Sequence, residues 1–204
     1  LIGAVGRAIA DLPVLLLLVY RPRDRERQPP LPVEALPYFT ELALSSFSAE
    51  EAERLIDLKL RQFFGEDAQV PADVVGEITT RAAGNPFYIE EILNYLRSLD
   101  IDPRDVEGLR KADLPTSIYS LILARIDKLD GQQQVAIRVA SVIGRLFPAA
   151  MLWGISPDLR DVPTVRRALE LLSELELTPL DTPDPELTYL FKHIMTQQVA
   201  YETL

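Results

Sequence analysis

The chain has 204 residues, of which 48% are hydrophobic, and it carries a formal net charge of −10. A chain of this length and apolar content can bury one large core or two small ones. It contains no cysteine and one histidine, which excludes disulfides and thiolate metal sites and argues against a zinc centre. These features predict a globular protein of the cytoplasm, and the acidic balance argues against a nucleic-acid partner.

The most apolar stretch covers residues 12–19. It is roughly 10 residues shorter than a membrane helix requires, so no membrane partner is expected. It also differs from a secretory signal, because Asp11 stands where such signals carry basic residues. The sequence starts at Leu1 without a methionine, which predicts a piece of a longer protein.

The first segment resembles the end of an α/β domain. A helical pattern covers residues 2–9, and the continuous apolar run at 14–20 is typical of a strand buried on both faces of a parallel sheet. A second short strand is predicted at 38–44. Two strands without their earlier neighbours would expose unpaired edges, so a strand-paired homodimer is expected.

From Ser48 the hydrophobic pattern becomes helical. Ser48 and Glu51 fit a capping box that opens the first helix. A second helix is predicted at 71–83, and a third begins at the Asn-Pro step 85–86, because asparagine caps helices and proline suits their first turn. Residues 48–114 are therefore predicted to form a small helical bundle that ends in a charged connection.

The last segment has the element order of a winged helix, in which helices precede two short strands around a turn. The helices are predicted at 117–129, 132–143 and 163–175. The strands are predicted at 177–180 and 187–191, before a final helix. The fold class is thus mainly α, with domains at 1–47, 48–114 and 115–204.

Several strings follow one another in a fixed order: LLLLVYRP, RAAGNPFYIEEIL, LPTSIYSLILARIDKL with VASVIGRLF, and YLFKHIMTQQVAYETL. Together they resemble the STAND class of signal-transduction ATPases, the AAA-related P-loop proteins found in bacterial adenylate or guanylate cyclase-type regulators and in large transcriptional activators. The resemblance covers nearly the whole chain. It implies the end of a P-loop nucleotide-binding domain, a helical lid and a winged helix, arranged around ATP or ADP.

The resemblance also implies which residues contact the nucleotide. Arg21, after the first predicted strand, would reach the terminal phosphate of ATP, a role that suits a planar and permanently charged guanidinium. Gly84, Asn85 and Pro86 match the Gly-x-Pro lid motif of the family, whose proline packs against adenine. His193 would contact the phosphate in the inactive, ADP-bound form, although isoleucine follows it here where the best-known pattern has aspartate.

Each of these residues also has a purely structural interpretation. Arg21 is the first arginine of a charged loop. The Gly-Asn-Pro sequence is an ordinary end of one helix and start of the next. A lone histidine is more often a packing residue than a ligand.

No GxxxxGK[ST] string occurs in the sequence, and no acidic pair that would hold magnesium follows the run at 14–20. Phosphoryl transfer depends on these elements, so a regulatory role without catalysis is expected, with an upstream P-loop domain of a longer parent as the partner. An acidic protein-interaction scaffold is an alternative. A DNA-binding winged helix is a weaker one, because residues 116–204 contain eight basic and eleven acidic side chains.

Overall fold

The computed structural model describes residues 1–21, 29–65, 71–101, 105–112, 114–183 and 185–204. Within these ranges the protein is mainly α-helical and has a small antiparallel sheet. The chain divides into two compact units, Leu1–Ser45 and Ser46–Leu204. The sequence predicts a further division of the second unit into domains 48–114 and 115–204, and this division stays a prediction. In the described ranges, no helix combines the length and apolarity that crossing a bilayer demands.

The first unit contains helix α1, Ile2–Ala8, which confirms the helix predicted at 2–9. Two buried glycines, Gly3 and Gly6, let the helix approach residues 32–36 closely. A Cβ added at Gly6 would lie 2.7 Å from Leu36 Cδ1. The hydroxyl of Tyr38 donates a hydrogen bond to the Gly6 carbonyl at 3.0 Å.

The strands predicted at 14–20 and 38–44 are wrong. Neither segment has regular secondary structure, and side chains such as Leu15 and Val19 are 89% and 86% exposed. A strand buried on both faces needs neighbouring strands to pair its backbone and helices to cover it. The described part of this unit contains no strand to pair with it and, besides α1, no helix to cover it. The rest of the arginine-rich loop after Arg21 lies outside the described residues.

The second unit begins with a helical bundle. Its helices are α2, Ala49–Phe64, α3, Ala72–Ala82, and α4, Pro86–Ser98. The capping box predicted for α2 is formed in both directions: Ser48 N donates to Glu51 Oε2 at 2.8 Å, and Glu51 N donates to Ser48 Oγ at 3.2 Å. A short helix that the sequence did not predict, α5, Val106–Lys111, lies in the charged connection.

The described remainder of this unit contains four further α-helices, two single-turn 3-10 helices at Ala149–Met151 and Pro157–Leu159, and the sheet. The helices are α6, Ile118–Asp127, α7, Gly131–Ile143, α8, Val162–Glu174, and α9, Ile194–Glu202. Side chains of Ser117, Asp130 and Asp161 cap the starts of α6, α7 and α8, as the sequence chemistry favours.

The sheet consists of three short strands. They are β1, Leu146–Pro148, β2, Leu180–Thr182, and β3, Thr188–Leu190. The strand order is β1-β3-β2 with antiparallel pairing throughout. β1 was not predicted, because a three-residue strand is too short to show an alternating pattern.

Two hydrophobic cores lie in this unit. One is built by α2, α3 and α4 and includes Ile56, Ile89 and Leu96. The other lies among α6 to α9 and the sheet, with Phe147 and Phe191 at its centre. The side chain that α6 contributes to the first core is Leu121. The two cores are therefore adjacent, with α4 and α6 between them.

Candidate functional site

The turn that precedes α4 is held so tightly that it requires glycine. Gly84 has a φ of +73°, and a Cβ at this position would lie 2.3 Å from the carbonyl oxygen of Phe47. The same segment is fixed by a hydrogen bond from Phe47 N to Gly84 O at 2.8 Å. Only glycine combines this backbone conformation with such a close approach.

Asn85 closes the start of α4. Its Oδ1 accepts hydrogen bonds from the backbone N–H groups of Phe87 at 3.0 Å and Tyr88 at 3.4 Å. Pro86, the first residue of the helix, has no N–H group and is exposed to solvent. The first backbone donors of α4 are therefore satisfied internally, and the chemical group that this turn offers to a ligand is the apolar ring of Pro86.

His193 lies against α4, just after this turn. Its imidazole centroid is 3.8 Å from the ring centroid of Phe87, with an interplanar angle of 35°. Its Nε2 is 3.8 Å from Glu90 Oε2, which is too long for a hydrogen bond. Nε2 is buried and has no hydrogen-bond partner. The fold thus brings the Gly-Asn-Pro turn and the lone histidine, which are far apart in the sequence, to one end of α4.

Glu90 is the centre of a charge network around this histidine. Its carboxylate lies 3.1 Å from Lys59 Nζ and 3.1 Å from Lys192 Nζ. Lys192 Nζ also lies 2.6 Å from Glu176 Oε2. The network joins α2, α4, the segment after α8 and the turn before α9, so it links the two halves of the unit.

The surroundings of Glu90 change its acidity. The facing imidazole of His193 is the largest influence, and with the two lysines it lowers the pKa of Glu90 to about 2, although partial burial opposes this shift. Burial alone would lower the pKa of Lys192, but the carboxylates of Glu176 and Glu90 raise it overall. The carboxylate and the ammonium group are therefore both charged across the neutral range.

A second polar link lies one residue further along α4. Glu91 and Arg125 form an ion pair at 2.6 Å, and their side chains are only 2% and 3% exposed. Arg125 also donates to the carbonyl of Leu175. Arg97 donates to the carbonyl of Glu174 at 3.1 Å. Two arginines thus satisfy carbonyls at the end of α8, which would otherwise lack partners.

These contacts define a polar face of α4, which consists of Glu90, Glu91, Asn94 and Arg97. Their spacing of three and four residues puts them on one side of the helix. Asn94 is 2% exposed, and its Oδ1 has no hydrogen-bond partner. The opposite side of α4 carries the apolar residues of the first core. Contacts between the two cores are therefore unusually polar and charged for a buried surface.

The predicted site residues are distributed over both units of the chain. Gly84, Asn85, Pro86 and His193 all belong to the second unit, where the contact between Phe87 and the imidazole brings them together. Arg21 belongs to the first unit and is exposed.

Sequence reasoning missed the residues that hold the histidine. Glu90 and Glu91 were visible as two adjacent acids flanked on both sides by apolar and aromatic residues, from Phe87 to Leu93, and an acid at a core-facing position signals a buried cation partner. The identity of the partners could not be read, because Lys59, Arg125 and Lys192 are distant in sequence.

No family model, curated protein or solved structure matches the chain. Among the described residues, no group of histidine and acidic side chains could hold a metal ion. The chemistry that the site offers is an exposed proline ring beside a charge network with an unpaired imidazole nitrogen.

Proposed function

We propose that this chain is the regulatory part of a nucleotide-switched signalling ATPase of the STAND class. In this proposal the Gly-Asn-Pro turn and His193 contact ATP or ADP, while a P-loop domain elsewhere in a longer parent holds most of the nucleotide. The observation that carries the proposal is the contact of His193 with Phe87, one residue after Pro86. Two motifs that the resemblance assigns to one nucleotide are adjacent in space.

The element order supports the two modules of the proposal. Helices α2 to α4 share one core, as a lid bundle would. Helices α6, α7 and α8 are followed by the hairpin β2-β3, and β1 pairs with β3. This arrangement of helices and a small antiparallel sheet is the one expected of a winged helix.

The residues at the site fit a nucleotide in two respects. The ring of Pro86 is exposed and can pack against a flat apolar base. The Nε2 of His193 also lacks a hydrogen-bond partner, but it is buried and faces the Glu90 carboxylate at 3.8 Å, so a phosphate oxygen would become its partner only in an arrangement in which the imidazole has moved away from Glu90. Exchange of ADP for ATP would alter the phosphate near the imidazole, and so shift the balance between two arrangements of the modules.

The proposed role is regulatory rather than catalytic, because the sequence has no phosphate-binding glycine-rich loop with its lysine. Arg21 is proposed to contact the terminal phosphate within the longer parent. Magnesium would be held by residues of the P-loop domain.

Calorimetric titration of ATP and ADP tests the proposal. We expect a longer parent chain that includes the P-loop domain to bind, and replacement of Pro86 or His193 by alanine to weaken binding at least about tenfold, which corresponds to about 1.4 kcal/mol. Pro163→Ala is the matched control, because Pro163 is also an exposed proline in the first turn of a capped helix. Equal affinities for wild type, Pro86→Ala and His193→Ala would contradict the proposal.

The second candidate is a protein-interaction scaffold. It is favoured by the first unit, where Leu15, Leu17 and Val19 are 75% to 89% exposed in one continuous segment. Absence of nucleotide binding by the longer chain, together with loss of a protein partner on replacing these side chains by serine, would support it. A DNA-binding role has less support, because α8 carries two exposed arginines, Arg166 and Arg167, and as many acidic residues, Glu170 and Glu174.

A further inference from the structure

The turn before α9 is fastened to the helical bundle through one carboxylate. Glu90 faces Lys192 at 3.1 Å and His193 at 3.8 Å, and it faces Lys59 of α2 at 3.1 Å on its other oxygen. Cations from two distant parts of the unit therefore share a single acidic side chain.

The local structure of α9 does not explain where the imidazole lies. His193 occupies the N-cap position of this helix but makes no side-chain capping bond. An N-cap side chain normally accepts a hydrogen bond from the first turn of its own helix. Here the ring is turned away from α9 and packs on Phe87 of α4. The ring is therefore positioned by contacts with α4, while the backbone before it is held by hydrogen bonds from Phe191 N to Arg145 O at 2.8 Å and from Lys192 N to Leu177 O at 3.2 Å.

Phe87 alone is a weak anchor for this ring. A contact between two aromatic rings contributes about 0.5–1.5 kcal/mol beyond area burial, and the imidazole nitrogen that faces Glu90 makes no hydrogen bond. The electrostatic attraction of Glu90 for Lys192, the residue before His193, holds the turn close to α4. The Glu90 side chain is 19% exposed, so water can hydrate its carboxylate when the ion pair with Lys192 separates.

We infer that Glu90 is the positioning residue for the turn at residues 192–193, and that it acts as a latch between α4 and the start of α9. When the carboxylate is lost, the imidazole leaves Phe87. This inference does not depend on nucleotide binding, because it concerns only contacts within the second unit.

The lone histidine makes the latch directly observable. The chain has one imidazole, so its carbon-bound protons give one set of NMR signals. With the Phe87 ring centroid at 3.8 Å, these signals are displaced from the positions of free histidine by the ring current. We expect Glu90→Gln, which keeps the shape but removes the charge, to abolish more than half of this displacement at neutral pH. An unchanged displacement would overturn the inference.

Control variants separate the latch from general loss of structure. Glu107→Gln removes an exposed acid that pairs with Lys111, and Ile92→Val removes one methyl group from the first core. Neither change touches the turn, so the imidazole signals should stay displaced in both. Loss of the displacement in either control would show that the signals report overall stability and would overturn the inference.

A measurement on the unmodified chain keeps the inference testable even if Glu90→Gln fails to fold. Salt screens partly exposed charges, with a Debye length of about 3 Å at 1 M. The displacement should therefore decrease as sodium chloride is raised from about 0.02 to 1 M, while the far-UV circular dichroism stays constant. A displacement that is independent of salt would contradict a charge-based latch.

Discussion

At the scale of single residues, Gly84 has the strictest requirement. Alanine at this position would meet a backbone oxygen at 2.3 Å and would have to adopt a positive φ. We expect Gly84→Ala to lower the free energy of unfolding by about 2 kcal/mol or more. Urea denaturation measures this change.

Gly76 provides the matched control for this substitution. It lies inside α3, and a Cβ added there meets nothing within 4 Å. Gly76→Ala should raise the stability by about 0.5–1 kcal/mol, because alanine favours the helical backbone. Equal effects of the two substitutions would show that the turn before α4 is not constrained as described.

The buried ion pair of Glu91 and Arg125 gives a second prediction at this scale. Arg125→Met removes the cation and leaves the Glu91 carboxylate without a partner. The Glu91 side chain is only 2% exposed, so water cannot replace the lost cation. We expect a loss of about 3–5 kcal/mol in the free energy of unfolding, because an unpaired buried charge is very unfavourable. Lys111→Met, which breaks an exposed pair, should cost less than about 1 kcal/mol. A small effect of Arg125→Met would mean that water reaches Glu91.

At the scale of elements, the position of Glu90 between α2, α4 and the turn before α9 makes their association sensitive to acid. The pKa of Glu90 is lowered from 4.5 to about 2 in the folded protein. A carboxyl whose pKa is depressed by folding stabilises the fold above its unfolded pKa, and this contribution is lost as the pH falls through the folded pKa. The contribution of Glu90 is therefore complete above about pH 4.5 and decreases between about pH 4.5 and 2.

Thermal or urea unfolding at a series of pH values measures this dependence. Wild type should lose more stability than Glu90→Gln between about pH 5 and 2.5, and the difference between the two proteins should be largest near neutrality. Lys192 has a raised pKa, so its contribution is lost only in strong alkali and does not enter this window. Parallel pH profiles for the two proteins would exclude Glu90 as the group responsible.

At the scale of the whole second unit, the polar face of α4 should couple the two cores during unfolding. The only tryptophan, Trp153, is 41% exposed and directly follows Leu152, a buried residue of the second core, so its fluorescence reports on the local structure beside that core, whereas circular dichroism reports on all helices. We expect coincident transitions by the two probes in wild type, as for a cooperative unit. In Arg125→Met, which cuts the link between α4 and the end of α8, the midpoints should separate. Separate midpoints already in wild type would show that the cores unfold independently.

The helix boundaries of the second unit were largely predictable, because their determinants are local. Ser48 and Glu51 lie within one helical turn of each other, and Asn85 caps the residues that directly follow it. The predicted strands of the first unit failed for the opposite reason. An apolar run such as 14–20 specifies a buried strand only if other strands and helices are there to cover it.

The sequence alone therefore determined the helical character of most of the second unit, the N-caps at Ser48 and Asn85, and the tight turn at Gly84. The composition also shows that His193 is the only histidine of the chain. These properties depend on residues within a few positions of one another, where spacing is read directly.

Only the tertiary structure decided what surrounds His193. The partners of Glu90 and Glu91 come from α2, α6 and the turn before α9. Charge attraction does not depend on sequence separation, so many pairings of the 21 basic and 31 acidic residues were compatible with the sequence. The packing of two cores on opposite sides of α4 selected among them, because a buried charge is tolerated only where a partner lies within reach.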